Sequence, residues 1–321
     1  MKAATIHHLN TGLIILSCIV AFYIPFELFL FSYAILGPLH YLTEIGWLHK
    51  KNYFTKGKYD FVFLVVACVI LVYWNHHPPK NYGLTADIIL FSLLSCIAFV
   101  FIKDWLYRFV IIALSLVFVG LLNNLPHFFT WVGVFLPTII HVFIFTWIFM
   151  MYGVLKERSW PGILSVVALI TCAVLILVIQ PTNLYYTVSD YSQKSYKQFA
   201  ELNVRLISLF GMEQLTSTKQ IFTVNAGFVV MRFIAFAYTY HYLNWFSKTS
   251  VIKWHLVPKR VLAATIGLWL ISIALYAYDY NLGMQVLFFL SFLHVFLEFP
   301  LNVTSFTGIG KEVAGLVKRP A

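Results

Sequence analysis

Long continuous apolar runs separated by short polar stretches set the pattern of this chain. Nine can be read: Thr11–Tyr33 (continuing to Trp47), Asp60–Trp74, Thr85–Ile102, Tyr107–Leu122, Trp131–Tyr152, Pro161–Ile179, Phe222–Phe246, Val261–Tyr278 and Gly283–Thr304. Several approach the ~20 residues that carry a helix across a bilayer core. The short alternating strands of a transmembrane barrel are not the pattern here. The pattern predicts an all-α, polytopic helical membrane protein with about nine spans, forming one transmembrane domain over residues 1–321. Asp60–Trp74 is short, so it must thin the bilayer or be shielded by its neighbours. As one straight helix, Thr11 to His49 would run to ~58 Å at 1.5 Å per residue. A kink or break is therefore expected in the first span, at Pro25 or at Gly37-Pro38.

One sizeable polar stretch, residues 180–221, interrupts the pattern and contains Tyr185, Tyr186, Tyr191 and Tyr196. Within it Phe199, Leu202, Leu206 and Leu209 recur at helical spacing, which predicts an amphipathic helix capping the extracytoplasmic surface. A lid over a lipophilic entrance is the functional alternative.

Composition agrees with a membrane chain. Hydrophobic residues make up 61% and charged residues 11%, against about 25% charged in a soluble domain, and the mean hydropathy is +0.83. The formal net charge of +10 would suggest nucleic acid in a soluble protein; here it reads as topology, with no nucleic-acid partner. Most Lys and Arg residues fall at one set of span ends, among them Lys50, Lys51, Lys103, Lys156, Arg158, Lys248 and Lys311. By the positive-inside rule that side is cytoplasmic, which with nine spans puts the C-terminus inside and the N-terminus outside. The N-terminus lacks an A-x-A-like cleavage site after a short apolar core, so no cleavable signal peptide is expected. Cys18, Cys68, Cys96 and Cys172 stand singly in apolar runs and read as packing residues, not as a disulfide framework.

The chemistry lies in the histidines. His7, His8, His76, His77 and His127 fall near the outer ends of the runs and His49 and His255 near the inner ends, where water solvates them. His40, His141, His241 and His294 sit inside four separate runs. His40 and His241 lie seven residues before Trp47 and Lys248, and His141 and His294 eleven before Tyr152 and Ser305, so all four share a layer roughly 10–16 Å from the inner ends at helical rise. Each alone could be a hydrogen-bonded core histidine; together they predict a shared metal site. Neutral imidazole suits iron, zinc, copper or nickel. Glu44 and Glu298 follow His40 and His294 by four residues, one helical turn. An ionisable group within lipid is expensive, and these two could ligate a metal or orient the histidines. Tyr238 and Tyr240 flank His241 and are candidates for lining a pocket for a long apolar substrate, or for the aromatic belt. Arg232 is expected to pair with Asp279, Glu213 or a substrate carboxylate, or to snorkel outward.

No GxSxG, HExxH, Walker loop or strand-preceded GxGxxG occurs, and no HxxHH box of membrane desaturases. Four short motifs, in order, resemble the Brp/Blh family of membrane β-carotene dioxygenases: Pro38-Leu39-His40 with Glu44, Ile140-His141-Val142-Phe143, Tyr240-His241, and His294 with Glu298. Glu44 replaces an Asp of that pattern, and Tyr41 and Leu42 replace its small residues. The resemblance implies a His-bound non-haem iron in a helical bundle, with O₂ and a lipophilic, lipid- or carotenoid-like substrate drawn from the membrane lipid. Two other classes stay open at this point: a haem-binding electron-transfer protein with axial His pairs, and a metal or lipid transporter.

Overall fold

The computed structural model describes residues 3–81, 83–180, 186–248, 253 and 256–317. Tyr185 and His255 lie outside these. Among the described residues there are helices and no strands. Eight helices among the described residues are long and apolar enough to cross a membrane, which makes the chain an integral, polytopic, all-α membrane protein. In chain order the long helices are α1 (Ala3–Tyr23), α2 (Pro25–Lys50), α3 (Asp60–His76), α4 (Gly83–Phe101), α5 (Trp105–Leu122), α6 (Phe129–Glu157) and α7 (Trp160–Val178). Two shorter helices follow, α8 (Asp190–Tyr196) and α9 (Ala200–Leu209), and then α10 (Asn225–Ser247), α11 (Lys259–Tyr278) and α12 (Tyr280–Val317). The chain packs as two compact units, one of Met1–His40 with Glu157–Gln285 and one of Tyr41–Lys156 with Val286–Ala321.

The first unit is built around α10, which is buried at all but a few of its 23 residues. Protein surrounds this helix, so it can carry tyrosines, His241 and Arg232 that lipid would not tolerate. Two neighbours run along it in opposite senses. Asn10 of α1 meets Ser247 and Tyr240 of α10, whereas Phe22 meets Arg232 further toward the start of α10, so the two helices are antiparallel. On α2, Phe26 meets Phe228, Ser32 meets Thr239 and His40 meets His241, so that pair is parallel.

The first apolar run therefore reverses direction. It breaks at Ile24 (φ −136°, ψ 59°), because Pro25 has no N–H to donate and its ring disfavours a helical residue before it. What the sequence presents as one kinked or broken span is two crossings. One consequence concerns topology. His7 Nε2 lies 2.9 Å from Glu157 Oε2, so the start of α1 and the end of α6 lie side by side. The expectation set His7 outside and the adjoining Lys156 and Arg158 inside, whereas the structure brings His7 against Glu157.

The polar stretch caps this unit. Leu202 and Leu206 of α9 are buried as their spacing predicts, although Leu209 is exposed. Tyr196, fully buried, joins Phe26, Phe29 and Phe199 in an aromatic cluster and donates to Asn203 Oδ1. The cap is tied to the start of α2 through Glu27, which accepts from the Tyr186 hydroxyl and from Ser192 Oγ at 2.8 Å. Burial, reinforced by this hydrogen bond to a carboxylate, pushes the Tyr186 phenol well above its ordinary pKa. Arg232 donates to the Ile179 carbonyl (3.4 Å) at the end of α7 and lies 4.8 Å over the Phe22 ring. Neither Asp279 nor Glu213 pairs with it; the partly negative C-terminal end of α7 takes that place.

The second unit packs α3, α4 and α6 with the later part of α12 around Leu64, Cys68, Ile89, Cys96, Leu136 and Phe296. Arg108 on α5 grips Asp60 at the start of α3 with two bonds, 2.7 and 3.1 Å. Gly308 of α12 lies against Tyr152 of α6, where an added Cβ would come within 2.5 Å of the ring. All four cysteines are free and buried, as their placement suggests.

Candidate metal centre

Two of the histidine-bearing helices are locally π-helical. In α2 the segment Ser32–Leu36 is π-helical and ends one turn before His40; in α6 the π-helical segment Phe129–Phe145 contains Pro137 and His141. Proline removes a ladder hydrogen bond and locally widens the turn, and π segments inside α-helices concentrate at functional sites.

The histidines come together in pairs. Within the first unit, His40 Nε2 and His241 Nε2 are 3.1 Å apart, with ring planes at 73°. Tyr242 and Trp245 flank His40, their ring centroids 5.2 and 5.7 Å away. Within the second unit, His141 Nε2 and His294 Nε2 are 3.2 Å apart, with planes at 72°. Each of the four rings is at most 6% exposed. Two nitrogens each about 2.0–2.1 Å from one ion, at angles between octahedral and tetrahedral, stand roughly 2.8–3.4 Å apart. Both pairs have that spacing. Each pair, His40 with His241 and His141 with His294, therefore presents two neighbouring ring nitrogens that could share a metal ion.

The carboxylates take different positions. Glu298 Oε2 lies 3.3 Å from His141 Nδ1, on the side of the ring away from the His294 contact. A carboxylate on that side of the ring stands where the orienting partner of a metal-bound imidazole would stand. Glu298 is 1% exposed and Glu44, one turn past His40 on α2, is 2% exposed. Tyr238 packs edge-on to Phe29 at 5.0 Å in the aromatic cluster, and the Tyr240 hydroxyl donates to Asn10 Oδ1 at 3.3 Å.

Tyr41 is the residue whose part in the site the sequence does not reveal. Its ring stacks on His294 at 4.2 Å and 23°, and its hydroxyl is 3.4 Å from Ser291 Oγ. In the sequence it is visible only as a large residue beside His40 where the resembling family has small ones.

No protein-family model, curated protein or solved structure matches the chain.

Proposed function

We propose that this protein is a membrane-embedded non-haem iron oxygenase that acts, with O₂, on a lipophilic substrate entering from the bilayer. The observation that carries the reading is the spacing of the two imidazole pairs, 3.1 and 3.2 Å between Nε2 atoms, in surroundings closed to water. His40 with His241, and His141 with His294, would each hold an ion through two neighbouring imidazole nitrogens. The donor set fits: neutral imidazoles with carboxylates one turn away suit iron, with zinc and copper as competitors. Bound iron would supply O₂ activation at a buried, open coordination position. Glu298 orients His141 through Nδ1, and Tyr41 fixes the plane of His294. The near-complete burial of all four rings would keep bulk water from a bound ion. The four motif matches to the Brp/Blh family support the same reading. A haem axial pair would stand across the iron with the macrocycle between the rings, roughly 4 Å or more from nitrogen to nitrogen; the observed pairs favour neighbouring ligands on one ion.

For topology we propose that both termini are cytoplasmic. Counting α1 and α2 as separate crossings, with α3 and α10, gives ten, an even number. The start of α1 shares its face with Lys156 and Arg158, which the positive-inside rule assigns to the cytoplasm.

The test of the activity is O₂ uptake by the iron-loaded protein in vesicles containing carotenoid or long-chain lipid. The reading expects uptake coupled to an oxidised lipid product and an absorption spectrum without a Soret band. Iron-loaded protein that consumes no O₂ with any lipophile contradicts it.

A further inference from the structure

Below the histidine layer α12 continues a polar stripe that the metal reading does not use. His294, Glu298 and Asn302 follow one another at four-residue spacing, so they share one face of the helix. Asn302 is 1% exposed, as is Ser305 one turn on. Glu298 reaches His141, but neither Oδ1 nor Nδ2 of Asn302 has a hydrogen-bond partner among the described residues. A carboxamide has four hydrogen-bonding positions, two donor and two acceptor. Leaving all of them unmade in an apolar interior is strongly unfavourable. Leucine, with nearly the same shape, would carry no such penalty.

We propose that Asn302 is a binding residue for the uncharged polar head, a hydroxyl or an amide, of the lipid-like substrate. This deepens the oxygenase reading and rests on it for the identity of the bound molecule as substrate. A group that both donates and accepts satisfies the carboxamide's two sides at once. A hydrocarbon satisfies neither, and a carboxylate only the donors, while also burying a charge beside Glu298. Asn302 lies eight residues from His294, about 12 Å at helical rise. A head held there would set the reacting position well inside the chain, not at its polar end. The substrate class is therefore a long-chain alcohol or amide lipid, in preference to a bare polyene.

The experiment measures the thermal shift of the purified, metal-loaded protein with hexadecanol, hexadecane and hexadecanoate, in wild type, Asn302→Leu and Asn302→Ser. The proposal expects hexadecanol to raise Tm in the wild type and the other two to do so much less. In Asn302→Leu, apparent affinity for hexadecanol should fall by about tenfold or more, as when one buried hydrogen bond is lost. Asn302→Ser, which keeps one donor and acceptor, should retain part of it and guards against a folding failure of the leucine variant. Equal response to hexadecanol and hexadecane, or undiminished hexadecanol binding by Asn302→Leu, overturns the proposal. Metal content of the same samples is read separately. Loss of hexadecanol binding in a variant with wild-type metal content supports the head-group site. Absence of metal from the wild type removes the oxygenase reading and leaves that site to be judged on the hexadecanol result.

Discussion

α5 and α10 are helices of similar length in the same chain, with opposite surroundings. α5 is among the eight long apolar spans, yet of its 18 residues only Ser115 and Val119 are buried. Phe109, Leu114, Val117 and Leu121 are each more than 60% exposed, a surface made for lipid. α10 is not among those eight, because three tyrosines, His241, Asn244 and Arg232 lower its hydropathy, and it is nearly all buried. In a membrane chain, then, the less apolar helix marks the protein interior. Lipid tolerates no unpaired polar group, so polar side chains collect where neighbouring helices can satisfy them.

Paired substitutions sharpen this contrast. Phe236 on α10 is fully buried, so Phe236→Ala should destabilise by about 3–5 kcal/mol. Phe109→Ala, at a residue 65% exposed on α5, should change stability by about 0.5 kcal/mol or less; thermal unfolding in detergent compares the two. The glycines separate next. A Cβ at Gly227 on α10 would stand 2.1 Å from the Ile221 carbonyl oxygen, whereas at Gly120 on α5 it meets nothing within 4 Å. Gly227→Ala should therefore lose about 3 kcal/mol as backbone yields, and Gly120→Ala should gain up to about 1 kcal/mol of helix propensity. Equal effects in either pair would mean that α10 is not the enclosed helix.

A smaller effect is expected at the site itself. Tyr41→Leu removes the ring stacked on His294 and should weaken metal binding by about 10-fold, at the low end for a group that orients a ligand. Tyr41→Phe keeps the stack and should stay near wild type; metal titration followed by ligand-field absorption distinguishes them. An effect of similar size belongs to the cap. Tyr186→Phe deletes the hydroxyl donated to Glu27 and should lower stability by about 1–2 kcal/mol, as for a hydrogen bond to a charged group, with metal content unchanged.

Much of this was legible before the structure. Continuous apolar runs announce helices, and four histidines isolated in such runs stand out because each is expensive there. The four-residue spacing of His294 and Glu298 places both on one helix face, and the structure shows that face against His141. Other features were not legible, for physical reasons. Pro25 signals a break, but whether the chain bends or reverses depends on what α10 offers on either side: Asn10 meets one end of it and Phe26 the other. The partner of Arg232 is a backbone carbonyl at Ile179, and carbonyls leave no trace in a sequence. The orphaned amide of Asn302 is a property of packing, since an asparagine in a helix usually finds a partner.

The central claim is that these buried imidazoles bind a metal ion. Metal content per chain in detergent-purified protein, measured for wild type, His241→Ala and His141→Ala, tests it most directly. The account predicts one or two iron atoms per chain in the wild type, as an order of magnitude for the two imidazole pairs, reduced in both His241→Ala and His141→Ala. A wild type that holds no metal after iron loading, or a metal content indifferent to His241→Ala, would contradict it.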